Sequence, residues 1–416
     1  MNLIRRNIGM FIMIIFALIP SIFLYQETIK FGEVNYLIFF SKAVALSGIV
    51  FYCFNFILST RAKFLENIFM GLDKLYISHR LAGIFALIFL IQHPLLLLLR
   101  YGDKFISLIL PPEKNLDVVA GLLAFDIFII VLVITLFISV RYNKWKGIHK
   151  FLGLSLFLAS IHVFLIPSNT SAGFLRYYIL GFCVLALISY VYRTLLFKLL
   201  VKRYTYLVKS VVNITEDITE ISLKEIDKKM EYKPGQFAFY SFQSKYITDE
   251  IHPFSFVSNP KDELIKIIAK RSGDYTERLH GLNPDTLVKV EGPYGAFGKY
   301  AKRNKQLWIA GGIGITPFLS MLKEVSNKEI TLIHVVSVEE HLIYQNEIKD
   351  SGIKYIPYIS KKEGRIDVGK IMKLTPIKDL DILMCGPLPM MKDLKKQFKK
   401  QGVSGNNIFF EDFALK

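Results

Sequence analysis

KLYISHRLAGIFALIFLIQHPLLLLLR (74–100) and IHKFLGLSLFLASIHVFLIP (148–167) decide how this chain is read. Each is apolar over the roughly 20 residues that a helix needs to cross a bilayer. Each also carries two histidines, His79 and His93 in the first and His149 and His162 in the second. Ionisable side chains are costly inside a membrane and point to function. The chain holds eight histidines, and no other membrane-length apolar stretch contains one.

A single imidazole near a helix end is ordinarily a solvated interfacial residue. Here both helices run in the same direction, so His79 is level with His149 and His93 with His162. At 1.5 Å per residue the two levels lie about 20 Å apart. Neutral imidazole is a good axial ligand for haem iron, and a pair of them fills both axial positions, which suits electron transfer. Two stacked haems spanning one bilayer are expected. The 14-residue spacing returns within about 40° of the same helix face. The 13-residue spacing leaves the second imidazole about 140° away at 100° per residue. The fifth helix must therefore be distorted locally, or the haem planes rotated.

Working outward, further apolar runs at about 7–25, 34–58, 116–140 and 173–200 bring the expected spans to six. The first follows Arg5 and Arg6 but has no small-residue cleavage site, so it is expected to be retained as a helix. Of the 416 residues 52% are hydrophobic and 21% charged, with a mean hydropathy of +0.38, which excludes a disordered or purely soluble chain. Lys and Arg number 52 against 35 acids, for a net charge of +17. Much of that excess flanks the spans. Loops on one side hold Arg5, Arg6, Arg61, Lys63, Lys74, Arg141, Lys144, Lys146 and Lys150; the opposite loops hold Lys30, Arg100, Lys104 and Lys114. By the positive-inside rule both termini are cytoplasmic in a plasma-membrane protein, and no nucleic-acid partner is implied. Cys53, Cys183 and Cys385 are too scattered for a disulfide framework or an iron–sulfur site.

Histidines paired in this way resemble the ferric reductase transmembrane domain shared by NADPH oxidases and ferric reductases. The resemblance implies two b-type haems held by His79 with His149 and by His93 with His162. A quinol-linked cytochrome b subunit, or a proton path through the same histidines, is the alternative.

After about residue 203 the pattern changes to alternating strands, as in RYTYLVKSVVNITEDITEISL (203–223) and YKPGQFAFYSF (232–242). After 303 it becomes short apolar strands (QLWIA, ITLIHVV, DILMC) separated by helices, the mark of a parallel α/β sheet. The expected division is a six-helix transmembrane di-haem domain at 1–202, a β domain at 203–302 and an α/β nucleotide-binding domain at 303–416. In WIAGGIGITPFLSML (308–322) a strand runs into glycines and then a helix, with Thr316 expected as N-cap and Pro317 as its first residue. Glycines admit close backbone approach, and the amides of a helix start favour a pyrophosphate.

The segments PGQF, HPFSF, GDYT, EGPYG, GGIGITP and CGP, in that order, are similar to the ferredoxin-reductase-like flavin and nicotinamide modules. That resemblance implies an antiparallel β-barrel that binds FAD, followed by a Rossmann-like domain that binds NADPH or NADH. It places His252 near the FAD pyrophosphate, Phe254 against the flavin, Ser255 hydrogen-bonded to its ring, and Gly273 with Thr276 at the diphosphate. Gly311, Gly312, Gly314 and Thr316 would cradle the NAD(P)H pyrophosphate. Cys385 and Gly386 would lie by the nicotinamide. Phe413, in the terminal FFEDFALK, would cover the flavin.

The function expected from these parts is that of a superoxide-generating NAD(P)H oxidase. Electrons would pass from cytoplasmic NAD(P)H to FAD, the inner haem and the outer haem, then to oxygen outside. A ferric-chelate reductase of the same build is the alternative, as is, less favoured, a cytochrome b subunit that donates to another protein. The acid Glu339 after ITLIHVV suits a ribose hydroxyl, whereas Lys361, Lys362 and Arg365 could serve a 2′-phosphate. No EF-hand loop or proline-rich tail is present, so no obligatory protein activator is expected.

Overall fold

The computed structural model describes residues 7–30, 35–109, 115–166, 173–247, 250–299, 303–325 and 329–411. The chain divides into two compact units at Leu200–Val201.

The first unit is helical, and six of its helices are long and apolar enough to cross a membrane, as expected for a multi-pass membrane protein. They are α1 (Ile8–Lys30), α2 (Tyr36–Ser59), α3 (Leu72–Tyr101), α4 (Leu116–Phe137), α5 and α6 (Phe174–Val191). α3 has 30 residues, about 45 Å against a hydrocarbon core of roughly 30 Å. α5 comes in two pieces, Tyr142–His149 and Phe151–Leu165, joined at Lys150. There the Lys150 N–H bonds back to Gly147 O (3.3 Å) and the Gly153 N–H to Lys150 O (2.9 Å). These are three-residue steps, which turn about 120° per residue instead of 100°. The overwinding reduces the angular mismatch between His149 and His162, so of the two accommodations anticipated for the 13-residue spacing the helix itself supplies part. Tyr52 on α2 donates its hydroxyl to Leu152 O on α5 (2.8 Å), and Ser155 on α5 donates to Ala124 O on α4 (2.7 Å).

The second unit begins with six antiparallel strands, β1 (Arg203–Asn213), β2 (Ile218–Glu225), β3 (Phe237–Gln243), β4 (His252–Ser255), β5 (Ile265–Lys270) and β6 (Leu287–Tyr294), in the order β4-β3-β6-β1-β2-β5. The end strands β4 and β5 approach one another, so the sheet is a nearly closed barrel. Its core gathers Tyr206, Ile221, Tyr240, Phe242, Phe256 and Val290. The alternation expected for β3 does not hold. Six of its seven residues are buried, because Ala238, Tyr240 and Phe242 enter the barrel core while Phe237 and Phe239 on the other face are covered by Tyr294.

The chain then forms a five-stranded parallel sheet, β7 (Lys305–Gly311), β8 (Glu329–Val336), β9 (Lys354–Ile359), β10 (Asp381–Cys385) and β11 (Ile408–Phe410), in the order β11-β10-β7-β8-β9. β7, β8 and β10 are the three apolar strands legible in the sequence, and each is almost wholly buried. β9 contains Pro357 and is an edge strand, the place where a missing N–H is tolerated. The strand order reverses between β7 and β10, and such a switch point opens a crevice at the strands' carboxyl ends.

Candidate functional site

In the helical unit the four histidines share one pattern. His79 Nδ1 lies 3.0 Å from Asn55 O, His93 Nδ1 3.0 Å from Ser41 O, and His162 Nδ1 2.7 Å from Asp117 O. A carbonyl oxygen only accepts, so in all three rings the proton sits on Nδ1 and Nε2 keeps its lone pair. His149 Nδ1 faces Thr135 Oγ1 at 3.4 Å, and its ring lies against Trp145. The Ser41 hydroxyl lies 2.8 Å from His93 Nδ1 and donates to His93 O (3.1 Å), so Ser41 holds both the ring and the backbone of His93. The two acceptors on α2, Ser41 and Asn55, have the same 14-residue spacing as the histidines they hold on the antiparallel α3. Among the described residues no Nε2 of the four has a hydrogen-bond partner, and all four rings are only half-buried. His93 and His162 lie within electrostatic reach of one another, as do His79 and His149.

This donor set fits haem. An outer hydrogen bond at Nδ1 fixes the ring and leaves Nε2 to the metal, the arrangement that metal-ligating histidines use. Gly121 on α4 makes room for it, since a Cβ there would come within 2.7 Å of His162 Nδ1. Among the described residues no three His, Cys, Asp or Glu side chains converge as for a bare ion. Iron already held by a macrocycle asks the protein for only two ligands.

In the barrel, His252, Phe254 and Ser255 lie on β4. The His252 ring stacks on Tyr275 (centroids 3.7 Å apart, planes at 23°), and its Nε2 is 3.1 Å from Glu250 Oε2. HPFSF and GDYT are therefore brought together. Gly273 precedes α7 (Asp274–Leu279) in extended backbone, open on its Cβ side. The Thr276 hydroxyl donates to Gly273 O (3.1 Å) and accepts from the Ser272 N–H (2.9 Å). Phe254 meets Tyr240 edge to face.

In the parallel sheet, Gly311 ends β7, Gly312–Ile315 form one 3₁₀ turn, and α8 (Thr316–Met321) follows. The N-cap is Ile315 rather than Thr316, which is the first helical residue with Pro317 second. The shift arises because the 3₁₀ turn runs directly into α8, and the Thr316 hydroxyl turns back to Ile313 O (3.0 Å). The facing turn, Cys385–Gly386–Pro387, ends β10 and leads into α9 (Leu388–Lys400). The two turns touch backbone to backbone. A Cβ on Gly314 would lie 2.3 Å from Cys385 O, and one on Gly386, at φ +155°, 2.8 Å from Gly311 Cα. Both turns sit at the β7/β10 switch point. The Cys385 thiol is buried and held well above its usual range by burial and then by Glu411, so it is a neutral group. Phe413 lies outside the described residues. Its neighbour Glu411 is buried at the end of β11 and accepts the Ala296 N–H (2.9 Å), tying the terminal segment to the loop after EGPYG.

Two side chains of this region escaped the sequence reading. Glu411 is one. His334 on β8 is the other, fully buried beneath the glycine turn. Its Nε2 is 3.2 Å from Gly312 O and must donate, while Nδ1 accepts from Tyr355 OH at 3.3 Å. Burial lowers its pKa to about 4. An imidazole kept neutral in the fold but free to protonate when unfolded favours unfolding in acid. Stability is unaffected above about pH 6.5 and falls as pH drops toward 4, by up to about 3 kcal/mol. Denaturant unfolding of wild type and His334→Phe followed through Trp308 should show a steeper loss toward pH 4 in wild type, with the variant about 1–3 kcal/mol less stable at pH 8 for the unpaired Gly312 carbonyl. Equal slopes would remove His334 as the cause.

Residues 44–160 match the ferric reductase like transmembrane component, 203–297 an FAD-binding domain and 308–396 an oxidoreductase NAD-binding domain. The chain carries a ferric reductase-like transmembrane component followed by FAD- and NAD-binding domains. Relatives of this ferric reductase-like chain include the electron transfer component of 2-halobenzoate 1,2-dioxygenase from Burkholderia cepacia, 25% identical over 45% of this chain and 60% of that one. A heavy chain of the superoxide-generating NADPH oxidase of Dictyostelium discoideum is 28% identical over 36% of this chain and 31% of that one. The chain spans about 60% of the length of the first curated relatives it matches. Flavohemoglobin from Malassezia yamatoensis, solved with FAD and heme, is similar in fold with a TM-score of 0.52 at 16% identity, covering 90% of this chain and 96% of that one.

Proposed function

We propose that this ferric reductase-like chain carries electrons across the plasma membrane from cytoplasmic NAD(P)H to an acceptor on the outer face, with oxygen as the acceptor and superoxide as the product. Each NAD(P)H supplies two electrons, giving NAD(P)⁺, a proton and two superoxide ions. The observation that carries this reading is the set of four imidazoles, each directed through Nδ1 and each with Nε2 unpartnered among the described residues. When bound, FAD takes hydride and releases single electrons, and two b-type haems relay them.

The chain's own residues bind and orient. His79 with His149 would hold the inner haem and His93 with His162 the outer one, a pair of imidazoles each, which suits electron transfer. His252, Phe254, Ser255, Gly273 and Thr276 would hold FAD. The turns at Gly311–Thr316 and Cys385–Gly386 would receive NAD(P)H at the switch point, where glycines let the backbone come close to a pyrophosphate. Phe413 would cover the flavin, and Cys385, neutral and buried, would shape the nicotinamide contact without exchanging a proton.

For the adenine end, Glu339 and Lys362 form an ion pair at 2.6 Å, and the Lys361 N–H reaches Ser337 O (3.3 Å). An acid for ribose hydroxyls and a cation for a 2′-phosphate therefore stand side by side, and both nucleotides are candidate donors.

The name of the Dictyostelium relative favours oxygen, and the transmembrane family's name favours a ferric chelate as the second reading. Purified protein given NAD(P)H should reduce cytochrome c in a reaction that superoxide dismutase abolishes. Reduction indifferent to dismutase, together with anaerobic ferric-chelate reduction, would replace the oxygen reading by the second. A preparation lacking a low-spin b-type Soret band would sink both.

A further inference from the structure

The side of α4 turned away from α5 carries an exposed carboxyl group that the electron path does not use. The buried face of α4 is formed by Ala120, Ala124, Phe128 and Val131, with Gly121 against His162 of α5 and Phe128 against Tyr52 of α2. Asp126 lies about 160° around the helix from Ala124 and is exposed. It stands at mid-span, midway in sequence between Asp117 and Thr135, the contacts of the two α5 histidines. No hydrogen bond or ion pair reaches it among the described residues. Carboxyl groups inside a membrane almost always face the bundle interior or pair with one another. One that points away from the packed face, with no partner among the described residues, calls for a polar partner on a neighbouring span.

The residues around it say what. Leu116, Leu123, Ile130 and Phe137 recur every seven residues, and Val119, Asp126 and Val133 recur every seven between them. This is an a/d seam over three heptads, and all of it is exposed or half-exposed. Such a seam pairs with a helix of the same spacing, and one polar residue within it sets register and partner number. Two copies inserted in one membrane share orientation and depth. An α4–α4 contact about a two-fold axis then brings Asp126 against Asp126 with no further adjustment. The complementarity is that of a carboxyl pair, one O–H donating to the other's oxygen.

We propose that α4 forms the interface of a parallel dimer of this chain, held in register by hydrogen bonding between the two Asp126 carboxyls. The inference needs the membrane span alone and is independent of the haem and nucleotide assignments.

Full-length protein in lipid nanodiscs provides the test, read by light scattering and by disulfide trapping of Ile130→Cys. Wild type should be dimeric, and Ile130→Cys should cross-link copy to copy on mild oxidation, the native cysteines being buried. Asp126→Leu should raise the dissociation constant about tenfold, whereas Asp126→Asn, whose amide pairs with itself, should stay dimeric. NAD(P)H-dependent acceptor reduction should be unchanged in Asp126→Leu. A monomeric wild type, an Asp126→Leu protein as dimeric as wild type, or one copy paired with a different polypeptide that carries a basic span would each overturn the proposal.

Discussion

Replacing His162 by leucine should halve the haem content and reduce electron delivery to the outer acceptor to background, while NAD(P)H still reduces the flavin. The imidazole has two duties here: Nδ1 donates to Asp117 O at 2.7 Å, and Nε2 is free. Leucine removes the proposed haem ligand and leaves the Asp117 carbonyl unpaired beside Gly121. Loss of acceptor reduction by more than about 100-fold is expected, since even outer hydrogen bonds to a metal-bound histidine are worth about 10–100-fold. Ser41→Ala is the graded control. It removes the hydroxyl that holds His93 O and lies 2.8 Å from Nδ1 but leaves the Ser41 carbonyl on Nδ1, so it should weaken haem retention within that smaller range. The readouts are haem per protein, the low-spin Soret band, and flavin reduction under anaerobic stopped flow. If His162→Leu kept both haems and full acceptor reduction, the assignment of the outer pair would fall.

The second large effect is expected at Gly314. An alanine Cβ there would lie 2.3 Å from Cys385 O and 2.5 Å from Cys385 C, both backbone atoms of the facing turn. No side-chain rotation relieves that contact, so the β7 and β10 turns must separate. Overpacking of this kind costs about 1–3 kcal/mol, and a displacement near 1 Å at a reacting site can cost about 100-fold in rate. Flavin reduction by NAD(P)H should fall by about that factor, whereas reduction by dithionite, which needs no nucleotide site, should be unchanged. Gly312→Ala is the contrast. Its Cβ would meet nothing within 4 Å, and the penalty is only that of φ +54°, about 1 kcal/mol. If the two alanines behaved alike, backbone contact between the turns would not be what holds the site.

Much of the site was legible because its chemistry resides in residue type and spacing. Histidine inside an apolar membrane stretch is costly unless it has a task there, and two levels on two helices of like direction are hard to produce by chance. The glycines were legible for a related reason, since Gly314 and Gly386 stand where another residue's Cβ would meet backbone. What holds those residues in place was not legible. The acceptors that orient His79, His93 and His162 are the backbone carbonyls of Asn55, Ser41 and Asp117, and every residue has a carbonyl. His334 read as part of a buried strand, because nothing local marks a ring that reaches 22 residues back to Gly312. Asp126 was one acid in a long apolar run until the face it occupies was known.

The sequence by itself determined the six spans, the paired histidine levels, the β-then-α/β order of the second half and the two glycine turns. These follow from composition and local periodicity, which do not depend on what packs where. Only the tertiary structure decided that α5 overwinds at Lys150, that β3 is buried on both faces, that Thr316 begins its helix instead of capping it, and that the two glycine turns meet at the β7/β10 switch point. The burial of β3 and the meeting of the two turns depend on contacts between residues distant in the chain, where the space left by one element sets the conformation of another; the step at Lys150 and the start of α8 are local hydrogen-bond choices that composition and periodicity do not encode.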